Sequence, residues 1–225
     1  PVLPALREAW PMICRISLPV SLGYVVLFGN STVFTRILAT FSPTDVAGFG
    51  IAYRIQNLLL LPGIAIGVGL ALTVNRMVAA ERPEKVGGLA TTVVLASFAF
   101  FALLAGLAYA TRDLTTSVMT SNSLIAGAAE KYLTYLAPAY LLMGPLAAVF
   151  IFLEETGNGF RALRFNVCLV AAQLGVAFWL AQTHQPVRLI YLVLALSYLT
   201  ALIFIGYELI RIHRLGGRVC NIRRA

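Results

Sequence analysis

The chain has 225 residues, 60% of them hydrophobic and 12% charged, with 17 basic against 9 acidic side chains and a formal net charge of +8. Its mean hydropathy is +0.86. A water-soluble domain of this length has too little interior to hide that much apolar surface, so lipid is the solvent for most of the chain and a soluble globular fold is excluded.

A bilayer core of ~30 Å takes about 20 helical residues to cross. Six apolar stretches serve as spans: Ser17–Phe41, Val46–Val74, Gly88–Ala110, Tyr132–Leu153, Phe165–Ala181 and Leu189–Ile210. The expected fold is all-α, a polytopic membrane protein in which residues 1–225 form a single bundle of six transmembrane helices and residues 211–225 a basic tail.

The first span carries Asn30, Ser31, Thr32, Thr35 and Arg36 at membrane depth. Thr32 and Arg36 are four apart and share a helix face. The turn Phe41-Ser42-Pro43-Thr44-Asp45 follows, with Asp45 suited to cap the second helix. That second span holds Tyr53, Arg54, Gln56 and Asn57, then Pro62, Gly63, Gly67 and Gly69. A proline followed by glycines predicts a bend, although small residues in membrane helices also serve close packing alone.

Charged groups inside a membrane are costly, roughly 2.5–3.5 kcal/mol each on insertion scales, and are a usual mark of function. Arg36, Arg54, Thr32, Tyr53, Gln56 and Asn57 are therefore candidates for a substrate cavity. Outward snorkelling of the two arginines and polar contacts between helices are the structural alternatives.

Ala80-Glu81-Arg82-Pro83-Glu84-Lys85 forms a polar elbow, and Arg112 through Ser123 the longest polar link. The fourth span has Tyr132, Tyr135 and Tyr140, with Pro138 and Pro145 seven apart. Tyr135 is a cavity candidate and both prolines are hinge candidates beside Pro62 and Gly63. Belt tyrosines at an interface are the plainer alternative. Glu154 and Glu155 leave that span at its end, where they read as solvated or paired with Arg161 and Arg164, not as a catalytic dyad. Thr156-Gly157-Asn158-Gly159 breaks the helix, and His184-Gln185-Pro186 closes the fifth span.

Orientation follows the basic residues. Arg7, Arg15, Arg76, Arg82, Lys85, Arg161, Arg164, Arg211, Arg214, Arg218, Arg223 and Arg224 fall on the side where the chain starts, called side one below. Only Arg112, Lys131 and Arg188 fall on side two, and Arg36 and Arg54 lie within spans. The positive-inside rule assigns side one, with both termini, to the cytoplasm. These basic flanks contact anionic headgroups, which accounts for the high net charge without a nucleic-acid partner. Cys14, Cys168 and Cys220 are too scattered for a metal site and read as free thiols. Neither histidine has a partner at zinc spacing, and the chain has no nucleophile elbow and no phosphate loop, so no enzyme chemistry and no cofactor are expected.

One pattern resembles a known family. Asp45-Val-Ala-Gly-Phe-Gly-Ile-Ala-Tyr-Arg-Ile-Gln-Asn-Leu, followed by Pro62-Gly-Ile-Ala-Ile-Gly-Val-Gly-Leu-Ala-Leu72, is similar to the second helix of each half of MATE (multidrug and toxic compound extrusion) transporters. Leu18-Pro19, the elbow Glu81-Arg-Pro-Glu-Lys85 and Ala128-Ala-Glu-Lys-Tyr-Leu133 with Pro138 and Tyr140 fit the same layout.

The resemblance implies one six-helix lobe of a twelve-helix protein in the bacterial inner membrane, and the basic tail after the sixth span favours the C-terminal lobe. It also implies a second six-helix half as partner, a small-molecule substrate, and export of organic cations or amphipathic compounds by alternating access, in exchange for H+ or Na+. Two stretches depart from the family. Thr73-Val-Asn-Arg-Met-Val-Ala-Ala80 replaces a Gly-Gln-Asn pattern, and Glu155-Thr-Gly-Asn-Gly-Phe-Arg161 lacks a downstream proline. Sodium-type members place carboxylates on the first and fourth helices of the C-terminal lobe. This chain has none within those spans, which puts the coupling site in the other half or implies altered coupling. A lipid-linked saccharide flippase of the same superfamily and a non-transporting membrane scaffold are the alternatives.

Overall fold

The structure is a computed structural model that describes residues 17–215, together with Trp10 and Cys14. Every regular element among the described residues is helical. In chain order they are α1 (Leu18–Ala39), α2 (Pro43–Ala79), a 3-10 turn (Pro83–Lys85), α3 (Val86–Ala110), α4 (Arg112–Met119), α5 (Ser123–Leu136), a 3-10 turn (Ala137–Ala139), α6 (Tyr140–Glu155), α7 (Gly159–Gln182), α8 (Val187–Ser197) and α9 (Thr200–Leu215). With α5–α6 and α8–α9 each taken as one broken rod, six helices are long and apolar enough to cross a membrane. The chain is an integral membrane protein with six spans. The tail beyond Leu215 and the basic residues Arg7, Arg15, Arg218, Arg223 and Arg224 lie outside the described residues.

Local chemistry sets the helix ends. Ser42, in extended backbone, accepts a hydrogen bond from the Thr44 amide at 3.0 Å, and Pro43 occupies the first helical position, where its missing N–H costs nothing. Ser42, not Asp45, is thus the cap of α2. Asn122 caps α5 through its Oδ1, which accepts from the amides of Leu124 and Ile125 at 3.0 and 3.3 Å. The polar link after α3 is itself mostly helix, α4, and the fourth span starts at Ser123, well before the apolar run. Its charged first turns are amphipathic and pack against α4 instead of sitting in lipid.

Two rods are interrupted. Pro138 lies in the 3-10 turn between α5 and α6, where a proline removes a donor that an α-helix needs. The sixth span breaks at Tyr198 and Leu199, between α8 and α9. Pro62, in contrast, lies inside α2, which runs unbroken from Pro43 to Ala79.

The fourth span is the hub. In its most apolar stretch 67% of residues are buried, against 11% in the first span. Its main partner is α2, and small residues set their separation. A Cβ on Gly63 would stand 2.8 Å from the Gly144 carbonyl oxygen, and one on Gly67 2.5 Å from that of Ala148. A Cβ on Gly144 would enter the Phe101 ring. This is the close-packing use of small residues in membrane bundles.

The buried side chains form two layers. One, toward side two, gathers Phe34, Phe49, Tyr132, Leu136, Tyr140 and Tyr191. The other, toward side one, gathers Val74, Val86, Val149, Phe152, Leu153 and Ile205.

Candidate functional site

Between those layers, where α1 and α7 meet the α2–α6 seam, lies a cavity of about 250 Å³. Gly23, Tyr24 and Asn30 of α1 form one wall, and Tyr53, Gln56 and Asn57 of α2 another. Met143, Phe150 and Glu154 come from α6, Asn166 and Gln173 from α7, and Tyr198 from the break in the sixth span. A smaller space of about 30 Å³ adjoins it and shares Asn30, Tyr53, Gln56, Gln173 and Tyr198.

Hydrogen bonds fix the inner wall. The Tyr132 hydroxyl donates to Gln56 Oε1 at 2.9 Å, which ties α5 to α2 with both side chains buried. Gln173 Nε2 donates to Ser197 Oγ at 2.6 Å, and that hydroxyl donates to the Leu194 carbonyl at 2.6 Å. The Gln173–Ser197 bond anchors α7 at the break of the sixth span, beside Tyr198 on the cavity wall. Toward side two the space is closed by an aromatic stack. Phe34 meets Phe49 edge-on at 4.9 Å, Phe49 meets Tyr132 at 5.5 Å, and Tyr132 meets Tyr191 at 5.1 Å. Edge-to-face rings of this kind are mutually favourable.

Toward side one the chemistry is ionic. Glu208 of α9 is 1% exposed and accepts from Arg161 Nε and Nη2 at 2.9 and 2.6 Å on one oxygen, and from Arg211 at 3.2 Å on the other. Arg211 also reaches the Asn158 side chain at 3.4 Å. Arg161 therefore serves Glu208, not Glu154 or Glu155 as the sequence suggested. Glu155 is exposed, whereas Glu154 turns into the cavity.

Of the residues singled out from sequence, Tyr53, Gln56 and Asn57 line the cavity. Thr32 and Arg54 are exposed and do not line it, and Tyr135 packs half-buried against the aromatic layer. Arg36 borders a different groove of about 660 Å³ at the side-two ends of α1 and α7, beside Thr40, Phe178 and His184. The hydroxyls of Ser31 and Thr32 both donate to the Phe28 carbonyl at 2.9 Å, and that of Thr35 to Ser31 at 2.7 Å. These groups are satisfied within their own helix, as Ser and Thr commonly are in helices. Pro145 and Gly63 are buried in the α2–α6 seam, while Pro138 is exposed.

Sequence reasoning passed over Tyr24, Asn166, Gln173 and Tyr198, and it read Glu154 as solvated or paired instead of facing a cavity. The signal for two of them was present, since Asn166 and Gln173 are seven apart and share one face of an otherwise apolar helix. No group of three or more His, Cys, Asp or Glu among the described residues is placed to hold a metal ion.

A six-span helical lobe with a polar cavity between its helices defines the class of this protein, an integral membrane bundle built around an internal space. Residues 19–179 match the MatE family, and the chain belongs to that family. No curated protein matches its sequence.

Among solved structures, the chain is similar to a MATE protein crystallised in complex with MaL6, at 18% identity and a TM-score of 0.83, over 93% of this chain and 48% of that one. It is similar to the Vibrio cholerae MATE transporter VcmN in its bent form, at 17% identity and a TM-score of 0.80, over 96% and 49% of the two chains. A third is a MOP superfamily transporter from Pyrococcus furiosus, described as having a binding pocket of reverse polarity that suggests a different function. It matches at 17% identity with a TM-score of 0.78, over 88% and 44%. At such identities the likeness is one of fold: the chain corresponds to half of a MATE fold and spans about half the length of these proteins.

Proposed function

We propose that the chain is one lobe of a twelve-helix exporter, which moves organic cations or amphipathic compounds out of the cell by alternating access in exchange for protons or sodium ions. The observation that carries this reading is the cavity itself, a polar and aromatic space inside an otherwise apolar bundle. The rings of Tyr24, Tyr53, Phe150 and Tyr198 and the carboxylate of Glu154 offer a cation both π-faces and a counter-charge. The partner is a second six-helix half, and the broken rod at Pro138, between α5 and α6, is the point where rocking would be absorbed. The bias of basic residues supports cytoplasmic termini in a bacterial inner membrane, with anionic headgroups against the basic flanks.

The flippase alternative asks for arginines in the cavity to pair with a pyrophosphate. Neither Arg36 nor Arg54 lines it, and the charged residue that does is an acid. A non-transporting scaffold has no use for such a lined space.

The full-length protein, expressed in cells lacking other pumps, should lower accumulation of ethidium, and Asn57→Ala or Tyr53→Ala should change the ranking among several cationic dyes. Unchanged accumulation of every dye, with expression verified in the membrane, would count against export.

A further inference from the structure

The groove of about 660 Å³ at the side-two ends of α1 and α7 shares no lining residue with the cavity. Its size falls within the ~300–1,000 Å³ of sites that take organic ligands. Arg36 lines it from the last turn of α1, which ends at Ala39, so its Cα lies about 5 Å inside the helix end. Gln182, His184 and Gln185 line the opposite rim, at and just past the end of α7. That rim is fixed by backbone: His184 takes the left-handed conformation, with φ of 53°, and the Gln185 amide donates back to the Leu180 carbonyl at 3.0 Å.

The charge in the groove is unbalanced. Arg161 and Arg211 share Glu208, and Arg112 stands 3.5 Å from Glu130. Arg36 has no acid against it among the described residues, and no acid lines the groove. Asp45, the described acid nearest to it in sequence, sits in the first turn of α2 and outside that lining. Arg188, two residues beyond Pro186, is exposed and of the same sign as Arg36. The side-chain donors along the rim are thus a guanidinium, two amides and an imidazole, a set suited to an anion.

Depth separates a lipid from a free anion. Val33 and Phe178 lie about one turn farther from the side-two surface than the rim, and both are exposed. A free phosphate would use the mouth and leave these apolar walls bare. A phospholipid uses both, with its phosphate at the guanidinium and its acyl chains along Val33 and Phe178. Basic pockets between membrane helices hold anionic heads in this way, and guanidinium pairs with phosphate through two parallel hydrogen bonds. A zwitterionic head brings its own cation to the phosphate and so gains less from Arg36. An arginine that only snorkels to the interface needs no such groove.

We propose that the groove between α1 and α7 binds one anionic phospholipid of the side-two leaflet, its phosphate on Arg36 and its chains against Val33 and Phe178. This site lies on the face opposite the basic flanks of side one, whose headgroup contacts are spread over many residues. It joins the two helices that form the outer wall of the cavity, so an occupying lipid ties them together at one end. The site depends on the six membrane spans and not on the export reading.

The test uses the full-length protein, purified in a neutral detergent. By native mass spectrometry, wild type should retain one phosphatidylglycerol molecule in preference to phosphatidylcholine. Arg36→Gln should weaken that binding about tenfold, the loss of a charge-assisted hydrogen bond. Arg36→Lys should recover part of it, and Arg54→Gln, whose arginine lies away from the groove, should leave it unchanged. Phe178→Ala should weaken phosphatidylglycerol by a smaller factor, and it decides the case if Arg36→Gln does not fold. Equal binding in wild type and in every groove variant overturns the proposal and leaves Arg36 as a snorkelling side chain. Phosphatidylglycerol should also raise the melting temperature of wild type. Equal protection by inorganic phosphate at the same concentration would overturn the lipid assignment in favour of a free-anion site. A wild type with no preference for phosphatidylglycerol would overturn it too.

Discussion

The seam between the second and fourth spans and the wall formed by the first and fifth spans are built from similar apolar residues, yet they solve opposite problems. At the seam, Gly63, Gly67 and Gly144 let backbones touch, and nothing larger fits. At the wall, Gly23 and Asn30 border a space, and the nearest atom to a Cβ built on Gly23 is 3.8 Å away. In a bilayer, where lipid tails are as apolar as leucine, helices are held by fit and by polar contacts. The seam uses fit and the wall uses few polar contacts, so the first and fifth spans are the more weakly held part of the lobe. On the export reading proposed above, this places the compliance of the lobe on the side where a solute would enter.

The largest expected effect comes from breaking the seam. Gly144→Val should destabilise the full-length protein by about 3 kcal/mol, the upper end of what overpacking costs, because the new atoms fall within the Phe101 ring. A thermal melt followed by size-exclusion fluorescence checks this, and a tolerated valine would show that α6 can slide on α3. Next is Arg161→Ala, which leaves Glu208 buried with Arg211 alone. The loss should be clear but below the ~3–5 kcal/mol of a fully orphaned buried pair. Glu208→Gln should cost less than Arg161→Ala, since it removes the charge that requires pairing.

Much of this architecture was legible in the sequence, and the rest was hidden for identifiable reasons. The number of spans follows from apolar length, and the small residues after Pro62 announced either a bend or a contact; Gly63 and Gly67 serve the contact. What sequence does not give is rotation. When a helix is apolar all round, no periodic stripe tells which face meets its neighbours. Arg36 and Arg54 drew attention because charge at membrane depth is rare, yet both are exposed and lie away from the cavity. Glu154 was set aside because it lies at the end of its span. That end is covered by Pro19 and Gly23 of the first span, far from it in the chain, and only the fold brings them together.

A smaller effect, on the cavity side, is expected from Tyr132→Phe. It removes the hydroxyl that Gln56 accepts, and the freed amide borders a space that water can enter. The cost should be about 1 kcal/mol, at the low end for an unsatisfied buried group. The ring contacts of residue 132 persist, so the substitution frees the Gln56 side chain at the cavity wall and should change solute access more than stability. Accessibility of a cysteine placed at Asn57 to a water-soluble thiol reagent, with and without the phenylalanine, measures that directly.

The finest test of the comparison uses two glycines two residues apart on one helix. Gly67 and Gly69 share the same backbone and the same bilayer depth to within one helical turn. A Cβ at Gly67 would press on the Ala148 carbonyl oxygen at 2.5 Å and on Ile151 Cβ at 2.7 Å, whereas at Gly69 nothing lies within 4 Å. Gly67→Ala should therefore lower stability by about 1–3 kcal/mol. Gly69→Ala should raise it by roughly 0.5–1 kcal/mol, the ordinary gain of alanine over glycine inside a helix. Measured in the full-length protein, the second substitution also tests the proposed second half. If Gly69→Ala destabilises instead, a surface from the other half lies against that face of the second span, and the close fit seen at the seam extends across the boundary between lobes.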